Sequence, residues 1–169
     1  FQWQIPNRFN IGPAVSNAWA DRAPDRVCLQ HFLPDTPPLS MTYGELAARS
    51  DAFAAALMAE GVERGDRVAI LLPQGFDTVV AHVAIYKLGA IALPLALLFG
   101  ADALLFRLKN AQAKAIITNR FGADRLQPIR PELPTLDLMI TTEPVSEARA
   151  KSFHDLIARH AGPFTAVDS

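Results

Sequence analysis

Residues 67–95 read RVAILLPQGFDTVVAHVAIYKLGAIALPL, and this stretch decides the fold. Residues 68–72 are apolar on both faces, which suits a parallel strand covered by helices on each side. Pro73 stops the run. Phe76, Val79, Val80 and Val83 then recur at helical spacing, and Ile85 and Tyr86 widen the apolar surface. The spacing predicts a helix over about 76–88, buried on more than one side and ended by Gly89. AIALPL, residues 90–95, is the next predicted strand. Strand, helix and strand with almost no spare residues form a βαβ unit, a scaffold that often holds nucleotides. Yet Pro73-Gln74-Gly75 carries neither G-x-G-x-x-G nor G-x-x-x-x-G-K-[ST]. Its one glycine opens a helix whose N-terminus attracts anions, but Asp77 in the first turn opposes that.

Outward from this unit, the punctuation is clear. Residues 1–45 read as an extended lead, FQWQIPNRFNI, then a short helix near 13–22 and two strands, RVCLQHFL and PPLSMTY, joined by a turn rich in Pro and Asp. Thr42-Tyr43-Gly44-Glu45 matches a capping box. Leu46, Phe53, Ala54, Leu57 and Met58 continue a helical stripe that Gly61 closes. Residues 46–169 read as successive βα units. Helix 102–111 leads to strand 114–118, a short helix near 122–127, strand 136–141 and a helix over about 153–160. Ser152, three residues before Asp155, caps the last helix. The fold class is α/β, a mainly parallel sheet with flanking helices.

The chain has 169 residues, half of them hydrophobic, enough for one domain with a core. Its net charge of −1 disfavours nucleic acid, which attracts a basic surface. The apolar window 88–105 is interrupted by Pro94 and charged by Asp102, so it reads as core and not as a membrane span. The single cysteine, Cys28, excludes an internal disulfide, fits a reducing cytoplasm and reads as a small buried hydrophobe. The chain starts at Phe1 and ends in GPFTAVDS, and a piece of a longer protein is expected.

Catalytic patterns are sparse. There is no G-x-S-x-G. His31, His82, His154 and His160 are too scattered for metal-ligand spacing, so no metal site is expected. His82 reads as a hydrogen-bonded, half-buried histidine, and Lys87 as a lysine whose ammonium group reaches water at a helix end. Arg107, Lys109, Lys114, Arg120, Arg125 and Arg130 form the densest basic region. Arg120 and Arg125 follow the strand AIIT, and ligands of open parallel sheets bind beyond the carboxyl ends of strands. There an arginine fork suits a phosphate; the alternative is an ordinary solvated surface.

Taken in order, TYGEL, GV-x-x-GDRVAILLP and KLGAIALPL resemble the N-terminal part of an AMP-forming acyl-CoA synthetase of the adenylate-forming superfamily. The lead W-x-I-P-x-x-FN and the piece LFG-x-D-A-L-x-x-R-L look most like acetate-type and medium-chain synthetases. The resemblance spans nearly the whole chain. It implies a parent ligase that uses ATP and Mg2+ to turn a short- or medium-chain carboxylate into an acyl-adenylate, then transfers the acyl group to CoA. The family's Ser/Thr/Gly-rich phosphate loop ending in Pro-Lys has no counterpart here. The resemblance therefore implies no catalytic residue within this piece, no tightly bound cofactor and no activity alone. It also implies a partner in the rest of the same enzyme, with self-association through exposed apolar surface where that part is missing. In acetate-type relatives a Phe-Gly stretch and a following arginine approach the nucleotide end of CoA. Phe99 and Gly100 match the stretch, and Arg120 or Arg125 matches the arginine. The loop after Gly100 is shorter than in some relatives. The competing reading makes Phe99 core and Gly100 only the opening of a helix. A stand-alone α/β module that binds a nucleotide-like ligand without catalysis is the alternative function.

Overall fold

The computed structural model describes every residue except 1, 3–5, 148 and 169. Most of the start of the extended lead, Trp3 and Ile5 included, thus lies outside the described residues. After it come two short helices, α1 (Ile11–Val15) and α2 (Asn17–Ala20), where one helix was predicted. Ser16 separates them: its backbone leaves helical geometry (φ −129°, ψ −78°) and its hydroxyl donates to the Gly12 carbonyl at 2.7 Å. β1 (Val27–His31) and β2 (Leu39–Thr42) pair antiparallel in a sheet of their own. The long helix α3 (Tyr43–Ala59) starts on the predicted capping box. Glu45 N donates to Thr42 Oγ1, and Thr42 N donates to Glu45 Oε2 at 2.8 Å. Gly61 follows the helix with φ 85°, the left-handed conformation that glycine adopts without strain.

The second sheet contains β3 (Arg67–Leu71), α4 (Phe76–Lys87) as its first crossover, and β4 (Ile91–Pro94). It continues through α5 (Ala101–Ala111), β5 (Ala115–Thr118), α6 (Arg120–Leu126), a 3-10 turn over Gln127–Glu132, β6 (Leu138–Thr141), β7 (Lys151–Ser152) and α7 (Phe153–Arg159). Its five strands are parallel in the order β4-β3-β5-β6-β7. From β3 the chain steps one way to β4, then returns past β3 to β5. Right-handed crossovers consequently put α4 on one face and α5 and α6 on the other. Phe53 of α3, Val80 and Ile85 of α4, and Phe153 and Leu156 of α7 form the core on the first face. Leu104, Leu108, Leu126 and Ile129 form it on the second. β5 and β6 are buried along their whole length between these layers, which is why both strands read as unbroken apolar runs. The Phe53 and Phe153 rings meet with centroids 4.4 Å apart and tie α3 to α7.

Lys87 corrects an expectation. Its ammonium group does not reach water; the residue is 0% exposed. The three N–H groups of Nζ have three acceptors: Asp51 Oδ1 at 2.6 Å, Ser50 Oγ at 2.7 Å and the Ala47 carbonyl at 3.2 Å. Burial pulls its pKa below the usual lysine value, and the Asp51 carboxylate opposes that pull. Asn17 Nδ2 donates to the other Asp51 oxygen at 3.0 Å, which brings α2 into the same network. The backbone of α1 packs directly on Lys87: a Cβ on Gly12 would lie 2.7 Å from Lys87 Cγ. Nearby, Asn10 Nδ2 donates to the Tyr86 carbonyl at 2.7 Å and to the Val167 carbonyl at 2.6 Å. The start and the end of the chain are thereby both held at the C-terminal end of α4.

Candidate functional site

In a parallel sheet, the loops leaving the carboxyl ends of the strands share one rim. β4 and β5 flank β3, so the loop after β4 and helix α6 after β5 meet above it. The loop after β4 carries Phe99 and Gly100. Gly100 is the N-cap of α5 with extended backbone (φ −71°, ψ 171°), and nothing lies within 4 Å of where its Cβ would be. Helix α6 is placed by Asn119, whose Oδ1 accepts from Gly122 N at 3.0 Å. Gly122 sits directly on the sheet: a Cβ there would overlap Thr118 Oγ1 and come 3.0 Å from Leu71 Cδ2.

Arg125, one turn along α6 from Phe121, joins the two loops. Its Nη1 donates to the Leu97 carbonyl at 2.7 Å and to the Phe99 carbonyl at 2.8 Å. Its guanidinium carbon lies 4.2 Å from the Phe121 ring centroid. A second arginine, Arg107 of α5, stacks on Phe99 itself, 4.1 Å from the ring centroid. Each contact is of the cation–π type. No carboxylate among the described residues lies within ion-pair distance of either guanidinium. Leu98 (93% exposed) and Phe121 (49% exposed) give the cluster an apolar surface open to water.

Of the site residues expected from sequence, Phe99, Gly100 and Arg125 thus come together. Arg120 points elsewhere. Its backbone N donates to Glu143 Oε2 and its Nε to the Pro144 carbonyl, both at 3.2 Å, on the loop after β6. Phe99 is half-buried, packed at the edge of the core, and not a fully buried core residue. Sequence reasoning gave Arg107 and Phe121 no role here. The signals were present: Arg107 lies in LFG-x-D-A-L-x-x-R-L, and Phe121 precedes Arg125 by one helical turn.

A cavity of about 490 Å3 opens where the chain reverses direction across the sheet, between the ends of β3 and β5. Pro73, Gln74, Gly75, Asn119 and Glu143 line it, together with His31, Arg49, Asp77 and His154. Two of its charges, Arg49 and Asp77, are matched with each other. Arg49 Nη2 lies 2.7 Å from Asp77 Oδ1, and His154 Nε2 lies 3.6 Å from Asp77 Oδ2. Gly75 has extended backbone, and its missing Cβ would meet only His31 at 3.8 Å, so this turn does not require glycine. His82 lies away on α4, half-buried, its Nδ1 3.1 Å from the Tyr86 hydroxyl; burial lowers its pKa. Cys28 Sγ donates to the Met41 carbonyl at 3.3 Å, and burial pushes the thiol pKa up, away from a reactive thiolate. Among the described residues no helix is long and apolar enough to cross a membrane.

Comparisons with known proteins agree with this architecture. The family described as AMP-binding enzyme matches residues 16–164. An acetyl-coenzyme A synthetase of Thiobacillus denitrificans is 38% identical over 118 residues, which cover 70% of this chain and 18% of that protein. A dimodular nonribosomal peptide synthase of Bacillus subtilis is 36% identical over 89 residues, 53% of this chain and 4% of that protein. The structure of acetoacetyl-CoA synthetase from Streptomyces lividans superimposes with a TM-score of 0.88 at 26% identity, covering 99% of this chain and 28% of that one. The chain therefore spans less than a third of each of these relatives. A family match over most of its residues, with a superposition that covers nearly the whole chain, places the chain in the AMP-binding, adenylate-forming enzyme family.

Proposed function

We propose that the chain forms the N-terminal α/β part of an acyl-CoA ligase, with residues 1–45 as its lead and hairpin and 46–169 as its βα units. In the parent, a short- or medium-chain carboxylate attacks the α-phosphorus of ATP and displaces pyrophosphate. The CoA thiol then attacks the acyl carbon and releases AMP. ATP and Mg2+ are handled outside this chain, since its sequence holds no Ser/Thr/Gly-rich phosphate loop. This chain's own contribution is a seat for the nucleotide end of CoA at Phe99, Gly100 and Arg125. The observation that carries the reading is Arg125 bonded to both the Leu97 and Phe99 carbonyls, which holds a guanidinium beside an open apolar surface. Between the two arginines expected from sequence, this favours Arg125 over Arg120. A reducing, cytoplasmic setting is in keeping with a single, unpaired cysteine.

The test is made on the isolated chain in two assays. ATP–pyrophosphate exchange should be absent, whereas CoA should bind by calorimetry. Arg125→Gln should weaken that binding by about tenfold or more, the scale of one charged hydrogen bond. Robust exchange would place the chemistry within these residues and refute the division of labour. CoA affinity unchanged by Arg125→Gln but lost in Arg120→Gln would move the seat to α6's other end. Equal affinity for CoA, ATP and other nucleotides would favour the stand-alone binding module.

A further inference from the structure

We infer that the two ends of the chain form one strap, latched by Asn10, that opens and closes as a unit over the buried Lys87. The inference goes beyond the CoA reading and does not depend on it. Asn10 stands 157 residues from Val167, yet its Nδ2 donates to the Val167 carbonyl at 2.6 Å and to the Tyr86 carbonyl at 2.7 Å. Its Oδ1 accepts from Gly12 N at 2.8 Å and so caps α1. Val167 N in turn donates to the Lys87 carbonyl at 2.8 Å. One amide side chain thereby joins the lead, the last turn of α4 and the C-terminal segment. Release of either end leaves a donor or an acceptor of the other without its partner, which is what couples the two.

Polar contacts, more than apolar burial, hold the strap. Gly12 is the one buried residue of α1, and α2 buries none. Ile11, Val15 and Trp19 are exposed. Residues 161–168 form no helix or strand, and Phe164 is the hydrophobic side chain among them that packs against the core. Segments with few buried apolar contacts open at a lower free energy than the core. Charges lie beneath the strap. The backbone of α1 rests on the Lys87 stem, where a Cβ on Gly12 would come 2.7 Å from Cγ. Asn17 of α2 holds the Asp51 oxygen that Lys87 leaves free, at 3.0 Å. Opening lets water reach both charges and removes the desolvation cost that burial imposes on them. The latch favours the closed state and the buried pair opposes it, so the strap opens without unfolding the sheet.

The test is amide hydrogen exchange followed by NMR on the full chain, in urea well below the unfolding transition. The probes are the Ala20 and Asp21 amides, bonded to the Ser16 and Asn17 carbonyls, and the Val167 amide. They should share one opening free energy and one urea slope, both smaller than those of the β5 amides. Asn10→Asp keeps an oxygen to cap α1 and loses both donors. It should speed exchange at Ala20, Asp21 and Val167 by the same factor, about tenfold or more, the scale of one to two hydrogen bonds. Arg8→Gln, which breaks the exposed Arg8–Asp168 pair at 3.4 Å, should leave these rates unchanged. Acetic anhydride labelling read by mass spectrometry is the second measurement: Lys87 should take the label faster in Asn10→Asp, by the same factor as the amides. Different urea slopes for the two segments, acceleration of one segment alone, or equal acceleration in Arg8→Gln overturns the single strap. A Lys87 labelling rate that does not rise with the exchange rates overturns its place beneath the strap. The urea slopes are read on the unaltered chain, so they decide even where Asn10→Asp fails to fold.

Discussion

Lys87 shows how far one residue's role depends on partners distant in sequence. From the sequence it is a basic residue in the last turn of a helix, where charge favours the helix dipole and a long stem reaches water. In the fold it is the ammonium group at the centre of a buried network that joins α1, α2, α3 and α4. Its main partner, Asp51, lies 36 residues earlier, and no local pattern links the two. Removing one member of a buried ion pair strands the other, at a cost of about 3–5 kcal/mol. Lys87→Met should therefore lower the unfolding free energy by that amount in urea titrations. Lys87→Met combined with Asp51→Leu should recover most of the loss, since well-packed apolar replacements of buried pairs are often neutral. A double variant no more stable than the single one would show that the network contributes more than charge compensation. Phe99 and Arg125 were nominated differently: the resemblance to acetate-type synthetases points to Phe99, and to Arg120 or Arg125, before any partner in space is known.

At the scale of elements, the sequence was read closely wherever a terminus carries its own chemistry. The capping box at Thr42 and Glu45, Gly61 after α3, and Ser152 with Asp155 N at the start of α7 all stand where the sequence places them. The exceptions have physical causes. β7 has two residues and no alternation to betray it; it forms because β6 offers a free edge. The N-terminal helix splits because Ser16 turns its hydroxyl back to the Gly12 carbonyl. Helix α6 depends on close approach to the sheet. Gly122→Ala should push α6 off Thr118 and disturb the hydrogen bond from Thr118 Oγ1 to the Leu71 carbonyl. Overpacking of this kind costs about 1–3 kcal/mol, so its melting temperature should fall by several degrees. The same shift should move Arg125 away from the Phe99 loop and weaken CoA binding. A variant with unaltered melting and CoA affinity would contradict this account of the site.

At the scale of the molecule, β4 is one of the two terminal strands of the five-stranded sheet, with no partner on its outer side among the described residues. Ile91 on that strand is 52% exposed. Unpaired strand edges with apolar side chains promote association unless a charge blocks it. The isolated chain is expected to self-associate with rising concentration in light scattering, and Ile91→Lys should shift it towards the monomer. A chain that stays monomeric at high concentration would show that this edge is already protected. The sequence by itself determined the class of fold, the alternation of strands and helices, and the family. The first two follow from local apolar periodicity and capping residues, and the family from the resemblance carried by short motifs in order. Strand order, the buried role of Lys87, and the placement of Arg125 against the Phe99 loop with Arg120 on the loop after β6 were decided only in three dimensions. They depend on which loops the crossover directions bring to the same rim, and on which distant side chains face each other once the helices pack.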